Sequence, residues 1–224
     1  MGFEYVKGMT QSIRFIKPSD LRATVRGLAI MSVLFDKRRN GRFWTDPATA
    51  ADVGVWHDEK GNSCGFLFFA KGSMILGTDR ESPMCSLVRK EPQPWPGVLD
   101  DLPNEMRDLL SRRRFGDSFP TEEVTFCIWN SGKGLDWKKG KIDLPKRDPP
   151  GDPDGSKYLL GRFKQYFDHF DHEMDEEYEQ SFDADTLFQV FSGDPVTPED
   201  LRRLKSGLDI AEVREALKEI GVKV

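Results

Sequence analysis

Three short segments between residues 52 and 78 place the strongest constraint on the fold. They are DVGVWHD (52–58), GFLFFA (65–70) and SMILGT (73–78). All three are rich in β-branched and aromatic residues, and Gly61-Asn62 and Lys71-Gly72 lie between them. Such segments form strands and such dipeptides form tight turns, so the pattern predicts an antiparallel meander. The unbroken apolar run from Phe66 to Phe69 is typical of a central strand covered on both faces.

Further elements are predicted on either side of the meander. They are a strand at 13–17, a helix from Ser19 that ends near Lys37-Arg38-Arg39, a helix from about Asn104 to Ser111, a strand at 124–130, and a strand at 141–145 that pairs with it. Ser19 has the side chain of an N-cap, and the basic residues suit the carboxyl-terminal end of a helix dipole.

The chain is predicted to be helical after DPPGDPDGS (148–156), the segment that is richest in Pro and Gly. Apolar residues recur every three or four positions from Leu160 to Tyr178, which indicates an amphipathic helix. We expect Asp154 or Ser156 to cap its start. Thr197, followed by Pro198, predicts the beginning of another helix.

These patterns predict an α+β fold: a mostly antiparallel sheet, formed as a strand meander, with packed helices and a helical carboxyl-terminal part. The 224 residues suit a single domain over 1–224. The Pro- and Gly-rich segment at 148–156 would divide this domain into an α+β core at 13–150 and a helical subdomain at 151–224.

Charge and composition narrow the classes of function. The net charge is −5, which argues against general binding to nucleic acid phosphates. The basic segment Lys133–Arg147 is the one stretch that could oppose this conclusion, and it could equally attract the acidic segment 168–179 within the fold. Sixteen Phe and five Trp supply enough large side chains for a folded core.

The cysteines and the amino terminus indicate a compartment. Cys64, Cys85 and Cys127 form no Cys-x-x-Cys pair, so neither a zinc clip nor a thioredoxin-type motif is predicted, and reduced thiols are the simplest interpretation. The first residues contain no apolar signal region, and no run is long and apolar enough for a transmembrane helix. We therefore expect a cytoplasmic protein with no membrane association.

The stretch DHFDHEMDEEYE (168–179) is the main candidate for a metal site. On a helix, His169, His172, Glu173 and Glu176 would share one face, and their side chains are competent zinc ligands. This face is separate from the apolar stripe, so a solvated acidic surface is the preferred interpretation. A partner-binding face and a metal site are the alternatives. No metal and no cofactor is favoured.

Two further groups are candidates for partner binding. Asp79, Arg80 and Glu81 follow a predicted strand, where loops on a rigid scaffold often carry function. An ordinary ion-paired turn is the preferred interpretation of this cluster, and a binding or catalytic loop is the alternative. Aromatic residues are enriched at interface hot spots, which makes candidates of Trp95, Trp129 and Trp137, although the core is the preferred location for them.

Several phrases of the chain together resemble a family of uncharacterised bacterial cytoplasmic proteins of similar length. The phrases are IRFIKPSDL (13–21), GTDRESPM (77–84), WPGVLDDLP (95–103), TFCIW (125–129) and DPDGSKYLL (152–160). The resemblance implies one domain over most of the chain, with residues 1–12 as a variable extension, and it carries no catalytic residue. The predicted architecture is also similar, at the level of the fold, to SMI1-type and other immunity proteins.

The leading hypothesis is a non-catalytic protein-binding module, in the manner of a toxin-neutralising immunity protein. The separation of the acidic and basic segments supports it, and so does the small number of residue groups suited to catalysis. The alternative is a carboxylate- or metal-dependent hydrolase that uses Asp79, Glu81 and the His169 to Glu176 group. The two hypotheses differ in geometry, because an enzyme needs these groups to converge in one pocket. The expected partner is another protein.

Overall fold

The computed structural model describes residues 11–35, 40–111, 119–132, 134–145 and 151–223. Residues 1–10 of the predicted extension, the expected helix end at Lys37–Arg39 and positions 148–150 of the predicted boundary lie outside these ranges. The strands are β1 (Gln11–Arg14), β2 (Gly41–Asp46), β3 (Ala51–His57), β4 (Ser63–Phe69), β5 (Gly72–Thr78), β6 (Phe126–Asn130) and β7 (Asp136–Lys139). They form one antiparallel sheet in the order β1-β7-β6-β5-β4-β3-β2.

Eight α-helices lie in the described part of the chain. They are α1 (Pro18–Phe35), α2 (Ser86–Arg89), α3 (Asn104–Leu110), α4 (Ser156–Asp168), α5 (Phe170–Tyr178), α6 (Ala184–Ser192), α7 (Pro198–Leu204) and α8 (Ile210–Glu219). A single 3₁₀ turn spans Thr121–Glu123. The antiparallel sheet, with five of these helices in the carboxyl-terminal part, confirms the predicted α+β class.

The predicted meander corresponds to β3, β4 and β5. A two-residue turn joins β4 to β5, since Phe69 pairs with Gly72. The longer β3–β4 turn is held by Asp58, whose carboxylate accepts hydrogen bonds from the backbone and the side-chain amide of Asn62, both at 2.8 Å. An Asp side chain that bonds nearby backbone stabilises such a turn without a second element.

Apolar side chains leave both faces of the sheet, because neighbouring residues of a strand point in opposite directions. On one face Phe66 and Ile75 join a cluster that includes residues of α1 and of α4 to α8. On the other face Leu67 and Met74 join a cluster formed with apolar residues of 84–110 and with Phe119 and Val124. The prediction that the Phe66–Phe69 run is covered on both faces is confirmed.

Helix α1 packs directly on β3, and Gly54 permits that close approach. A Cβ atom at position 54 would lie 2.3 Å from Cγ1 of Val25, which is shorter than any tolerated contact. Only glycine leaves enough space for the helix to sit at this distance. This contact places the amino-terminal helix in the same layer as the carboxyl-terminal helices.

The predicted pairing of 141–145 with β6 is wrong. The partner of β6 is β7, with Ile128 opposite Lys139 and Trp129 opposite Lys138. Polar groups of the 141–145 segment instead bond the preceding loop: the backbone N–H of Lys141 donates to Asp101 at 2.9 Å. β7 is in the sheet because its alternation buries Trp137 completely.

The continuous helix predicted from Leu160 to Tyr178 is also wrong. The chain leaves helical geometry at His169, where φ is −141° and ψ is 41°. Helix α5 then packs back against α4, and a hydrogen bond of 2.9 Å from the Tyr166 hydroxyl to Glu177 joins the two helices. The apolar spacing continues through the break, so periodicity alone cannot reveal it.

Candidate functional site

Asp79, Arg80 and Glu81 form an anchored turn directly after β5. The backbone N–H of Arg80 donates to Asn62 at 2.9 Å, and its guanidinium forms an ion pair with Glu123 at 3.4 Å. The backbone N–H of Glu81 donates to the Asp79 carboxylate at 2.9 Å. These contacts correspond to the ion-paired turn that was the preferred interpretation of the sequence.

The loop before α4 docks on this turn. The hydroxyl of Ser82 donates to the carbonyl of Pro153 at 2.6 Å, and both groups are buried. Gly155 has a φ of 72°, and a Cβ atom there would lie 2.2 Å from Cβ of Asp79. Glycine is required at position 155 both for its left-handed conformation and for this contact.

A buried ion pair lies beneath the docked loop. The ammonium of Lys139, at the end of β7, contacts the carboxylate of Asp154, and these residues are 4% and 2% exposed. The Asp154 carboxylate also accepts hydrogen bonds from the N–H and hydroxyl of Ser156, at 3.1 and 2.7 Å. The hydroxyl of Thr125 donates to the backbone carbonyl of Asp154 at 2.7 Å.

Asp152 completes this group and bonds the start of α4. Its carboxylate accepts a hydrogen bond from the backbone N–H of Tyr158 at 2.7 Å. The N-cap residue is Gly155, which has no side chain, so the prediction that Asp154 or Ser156 caps the helix is wrong. Burial raises the pKa of Asp152, and the neighbouring Asp154 carboxyl raises it further, against the effect of the backbone hydrogen bonds. We call Lys139, Asp152, Asp154 and Ser156 the Lys139 cluster.

The charged and hydrogen-bonding groups of the Lys139 cluster contact one another. The Lys139 ammonium is engaged by Asp154 and lies 3.3 Å from the Ser156 hydroxyl, which itself donates to Asp154. The first amides of α4 donate to Asp152, so they are not directed at a ligand. A catalytic group must reach the atom on which it acts. These contacts favour a structural role, in which the cluster joins the sheet to the carboxyl-terminal helices.

The three tryptophan candidates are separated by the fold. Trp129 is 3% exposed and lies in the apolar cluster that contains Leu67 and Met74, and Trp137 is fully buried on the opposite face of the sheet. Their proposal as partner-binding residues is therefore corrected, because core packing removes both rings from the surface. Trp95 is half-buried, its indole N–H donates to the carbonyl of Asp143 at 3.0 Å, and Arg89 stacks over its ring.

The proposed metal-ligand face is divided in the structure. His169 lies between α4 and α5 rather than on a shared helix face. Glu173 is directed to Arg162 and pairs with it at 2.8 Å. His172 and Glu176 remain adjacent at 3.3 Å and both side chains are 67% exposed. Among the described residues, no three His, Cys, Asp or Glu side chains are grouped to hold a metal ion.

The carboxylate and histidine candidates also lie at opposite ends of α4. Asp79 contacts Gly155 at the amino-terminal end, and His169 follows the carboxyl-terminal end. A helix rises about 1.5 Å per residue, so these ends are roughly 20 Å apart. The structure therefore does not bring the groups named for the hydrolase hypothesis into one site.

A surface that the sequence interpretation missed lies where α5 and α6 meet. Phe188 on α6 is 59% exposed, the largest exposed fraction among the bulky apolar side chains of the described residues. Its ring centroid lies 6.3 Å from that of Phe170, which stacks on the buried Phe191 at 5.3 Å with the planes 12° apart. Three rings thus lead from the core to the solvent.

Acidic residues accompany these rings. Asp171 follows Phe170 in the chain, and Asp185 lies three residues before Phe188 on α6, where that spacing places both on one face. Both acids are exposed. We call Phe170, Asp171, Asp185 and Phe188 the Phe188 surface.

A signal for the Phe188 surface was present in the sequence. Asp183 precedes an apolar set at 187, 190 and 191, which is a short amphipathic helix with an N-cap. Phe188 falls outside that stripe, so an exposed aromatic residue follows from helical spacing. Helical structure is predicted here but no separate helix over 184–192, and a separate helix would have placed Phe188 on the exposed face.

Comparison with known proteins yields no relative of this chain. No family model matches it, and neither the curated proteins nor the solved structures gave a match. The resemblances to a bacterial family and to SMI1-type proteins remain predictions. Within the described residues, no helix combines the length and the apolar character needed to cross a membrane.

Proposed function

We propose that this chain is a non-catalytic protein-binding module whose partner docks on the Phe188 surface. The observation that carries the proposal is the exposed Phe188 ring, which contacts Phe170, which in turn stacks on Phe191 in the core. Burying such a side chain gains about 1.5–3 kcal/mol relative to leaving it in water. A bound partner would recover that free energy at this position.

The Phe188 ring is also pre-oriented for binding. Its contact with Phe170, and the stacking of Phe170 on Phe191, restrict the motion of the exposed side chain. A restricted aromatic anchor loses less conformational entropy on association than a freely rotating one. Interface hot spots are enriched in such anchors, although Trp, Tyr and Arg are the commonest residue types.

The hydrolase alternative gains no support from the geometry. Its carboxylates lie at two separate ends of α4, and the Lys139 cluster uses its donors internally. A toxin-neutralising role is the narrower form of the binding proposal. What supports it is the acidic character of the chain and a displayed aromatic anchor, both suited to capture of another protein.

Affinity capture tests the proposal. The tagged full chain is incubated with lysate of the cells that express it, in parallel with Phe188→Ser and with Tyr158→Ser as the control. Tyr158 is 47% exposed at the other end of α4, so it matches Phe188 in aromatic exposure. We expect a stoichiometric partner that Phe188→Ser captures at least roughly tenfold less well, as for a hot-spot residue.

Circular dichroism first establishes that both variants are folded. Capture by Tyr158→Ser should equal that of the unmodified chain. The proposal is wrong if no stoichiometric partner is recovered, or if Phe188→Ser captures the partner as well as the control does.

A further inference from the structure

We infer that the partner of the Phe188 surface presents a basic segment in which an apolar side chain is flanked by Lys or Arg. The inference rests on the proposed function and specifies the chemistry of the bound segment. It follows from the acidic residues that lie beside the exposed Phe188 ring and the half-buried Phe170 ring, and from the incomplete neutralisation of these acids within the chain.

The acidic excess is local and one-sided. Residues 165–185 contain nine Asp or Glu and no Lys or Arg. This range covers all of α5, the end of α4 and the start of α6, which are the elements that carry the Phe188 surface. A single sign of charge over one region attracts the opposite sign and repels its own.

Part of this charge is neutralised by the preceding turns of α4. Arg162 pairs with Glu173 at 2.8 Å and approaches Glu177 at 3.9 Å, and Lys164 pairs with Asp168. These pairs engage Arg162 and Lys164, the two cations of α4 that lie nearest to α5 in the chain. The Arg162 pairs lie where α4 and α5 pack together, beside the hydrogen bond from Tyr166 to Glu177.

Within residues 165–185, four exposed acids form no ion pair with a described residue: Asp171, Glu179, Asp183 and Asp185. Two of them belong to the Phe188 surface. A partner that covers this surface must therefore supply cations, since burying unpaired carboxylates is costly. The Phe170 and Phe188 rings would contact an apolar side chain of the partner, and the carboxylates would pair with Lys or Arg on either side of that side chain.

The acids also have a simpler role, because Asp171 and Asp185 lie in the first turns of α5 and α6 and favour those helix dipoles. Glu199 and Glu212 also lie in the first turns of their helices, α7 and α8, and Glu199 in addition pairs with Arg202 at 3.8 Å. The pair Glu199→Gln/Glu212→Gln therefore removes two charges from first helical turns, as Asp171→Asn/Asp185→Asn does, and it is the control for that double variant.

The test uses synthetic peptides and the full chain. The probe is an amphipathic peptide of Lys and Leu, long enough for about four helical turns. One control peptide replaces Leu with Ser, and the other replaces Lys with Glu. Binding is measured by fluorescence anisotropy of labelled peptide at low salt and at physiological salt.

We expect the Lys/Leu peptide to bind and both control peptides to bind at least roughly tenfold more weakly. Phe188→Ser should weaken the Lys/Leu peptide by about tenfold. Asp171→Asn/Asp185→Asn should weaken it about three- to tenfold at low salt and less at physiological salt, because exposed charges are screened. Glu199→Gln/Glu212→Gln should bind as the unmodified chain does.

Four results would overturn the inference: no binding of the Lys/Leu peptide, equal binding of the Lys/Ser peptide, equal binding of the Glu/Leu peptide, or equal weakening by the two double variants. The capture experiment separates this failure from that of the proposed function. If capture depends on Phe188 but the Lys/Leu peptide fails, the module binds protein through this surface and only the partner chemistry is wrong.

Discussion

Asp152 experiences two opposing influences at the start of α4. Backbone N–H groups of the helix stabilise its charged form, while burial and the adjacent Asp154 carboxyl destabilise that form more, so its pKa is raised above the ordinary value of 3.8. A raised pKa in the folded state contributes stability that is present at low pH and lost as the pH rises through the folded value. The ionised Asp152 carboxylate therefore lowers the stability of the folded state at neutral pH.

Asp152→Asn should remove this pH-dependent loss. The amide oxygen still accepts a hydrogen bond from Tyr158, and the repulsion of Asp154 is gone. We expect the variant to equal the unmodified chain well below pH 3.8 and to exceed it in free energy of unfolding by a margin that grows until the pH passes the folded pKa of Asp152 and is constant above it. Urea unfolding across this pH range provides the measurement.

Asp183→Asn is a control of opposite sign. Asp183 accepts hydrogen bonds from the hydroxyl and the N–H of Thr186, and these bonds lower its pKa. The variant should therefore lose stability at neutral pH, with the difference disappearing as the pH falls below 3.8. If both variants shift stability in the same direction at pH 7, the environment assigned to Asp152 is incorrect.

Single residues also set the limit of prediction from the sequence. Thr197 was identifiable as an N-cap because Asp200 completes its capping box from nearby in the chain, and the structure confirms it. The burial of Lys139 was not identifiable, because its partner Asp154 lies fifteen positions away across a loop. Lysine is almost never fully buried unless it is paired, and composition does not show the pairing.

At the scale of elements, the Lys139–Asp154 pair links β7 to the loop that starts α4. Lys139→Met should destabilise the chain by about 3–5 kcal/mol, because it leaves the Asp154 carboxylate buried without a counter-charge. Adding Asp154→Asn should restore part of that loss, since a neutral amide carries a smaller desolvation cost. Chemical denaturation of the single and double variants measures both effects.

The neighbouring Lys138→Met is the matched control, because Lys138 is exposed on the same strand. Its effect should remain within about 0.5 kcal/mol. The pair would have no special role in the link if Asp154→Asn added to the loss caused by Lys139→Met instead of reducing it.

Elements were predictable where their signal was local. The meander combined strand composition with turn dipeptides, and β3, β4 and β5 lie close to their predicted positions. β7 was missed in favour of 141–145 because both segments are short, and sheet membership was decided by the burial of Trp137. The break at His169 was missed because it depends on contacts between α4 and α5, not on a Pro or Gly.

At the scale of the molecule, one apolar cluster contains residues from both parts that the Pro/Gly-rich segment would divide. Phe66 of the sheet contacts Phe163 of α4 with ring centroids 4.7 Å apart, and Trp56 lies 5.3 Å from the same ring. A Cβ atom at Gly27 of α1 would lie 3.1 Å from ring atoms of Phe191 on α6, so α1 and α6 also pack closely. A core shared in this way argues that the α+β part and the helical part do not unfold independently.

Unfolding followed by two probes tests this expectation. All five Trp lie at or before position 137, so intrinsic fluorescence reports on the sheet and its loops. Helices α4 to α8 hold the larger share of the helical residues, so circular dichroism at helical wavelengths reports mainly on the carboxyl-terminal part. Because the shared core couples the two parts, we expect coincident denaturation midpoints. Separate midpoints would instead support the subdivision into 13–150 and 151–224. In that case Lys139→Met should widen their separation, since it weakens the polar link beside the same core.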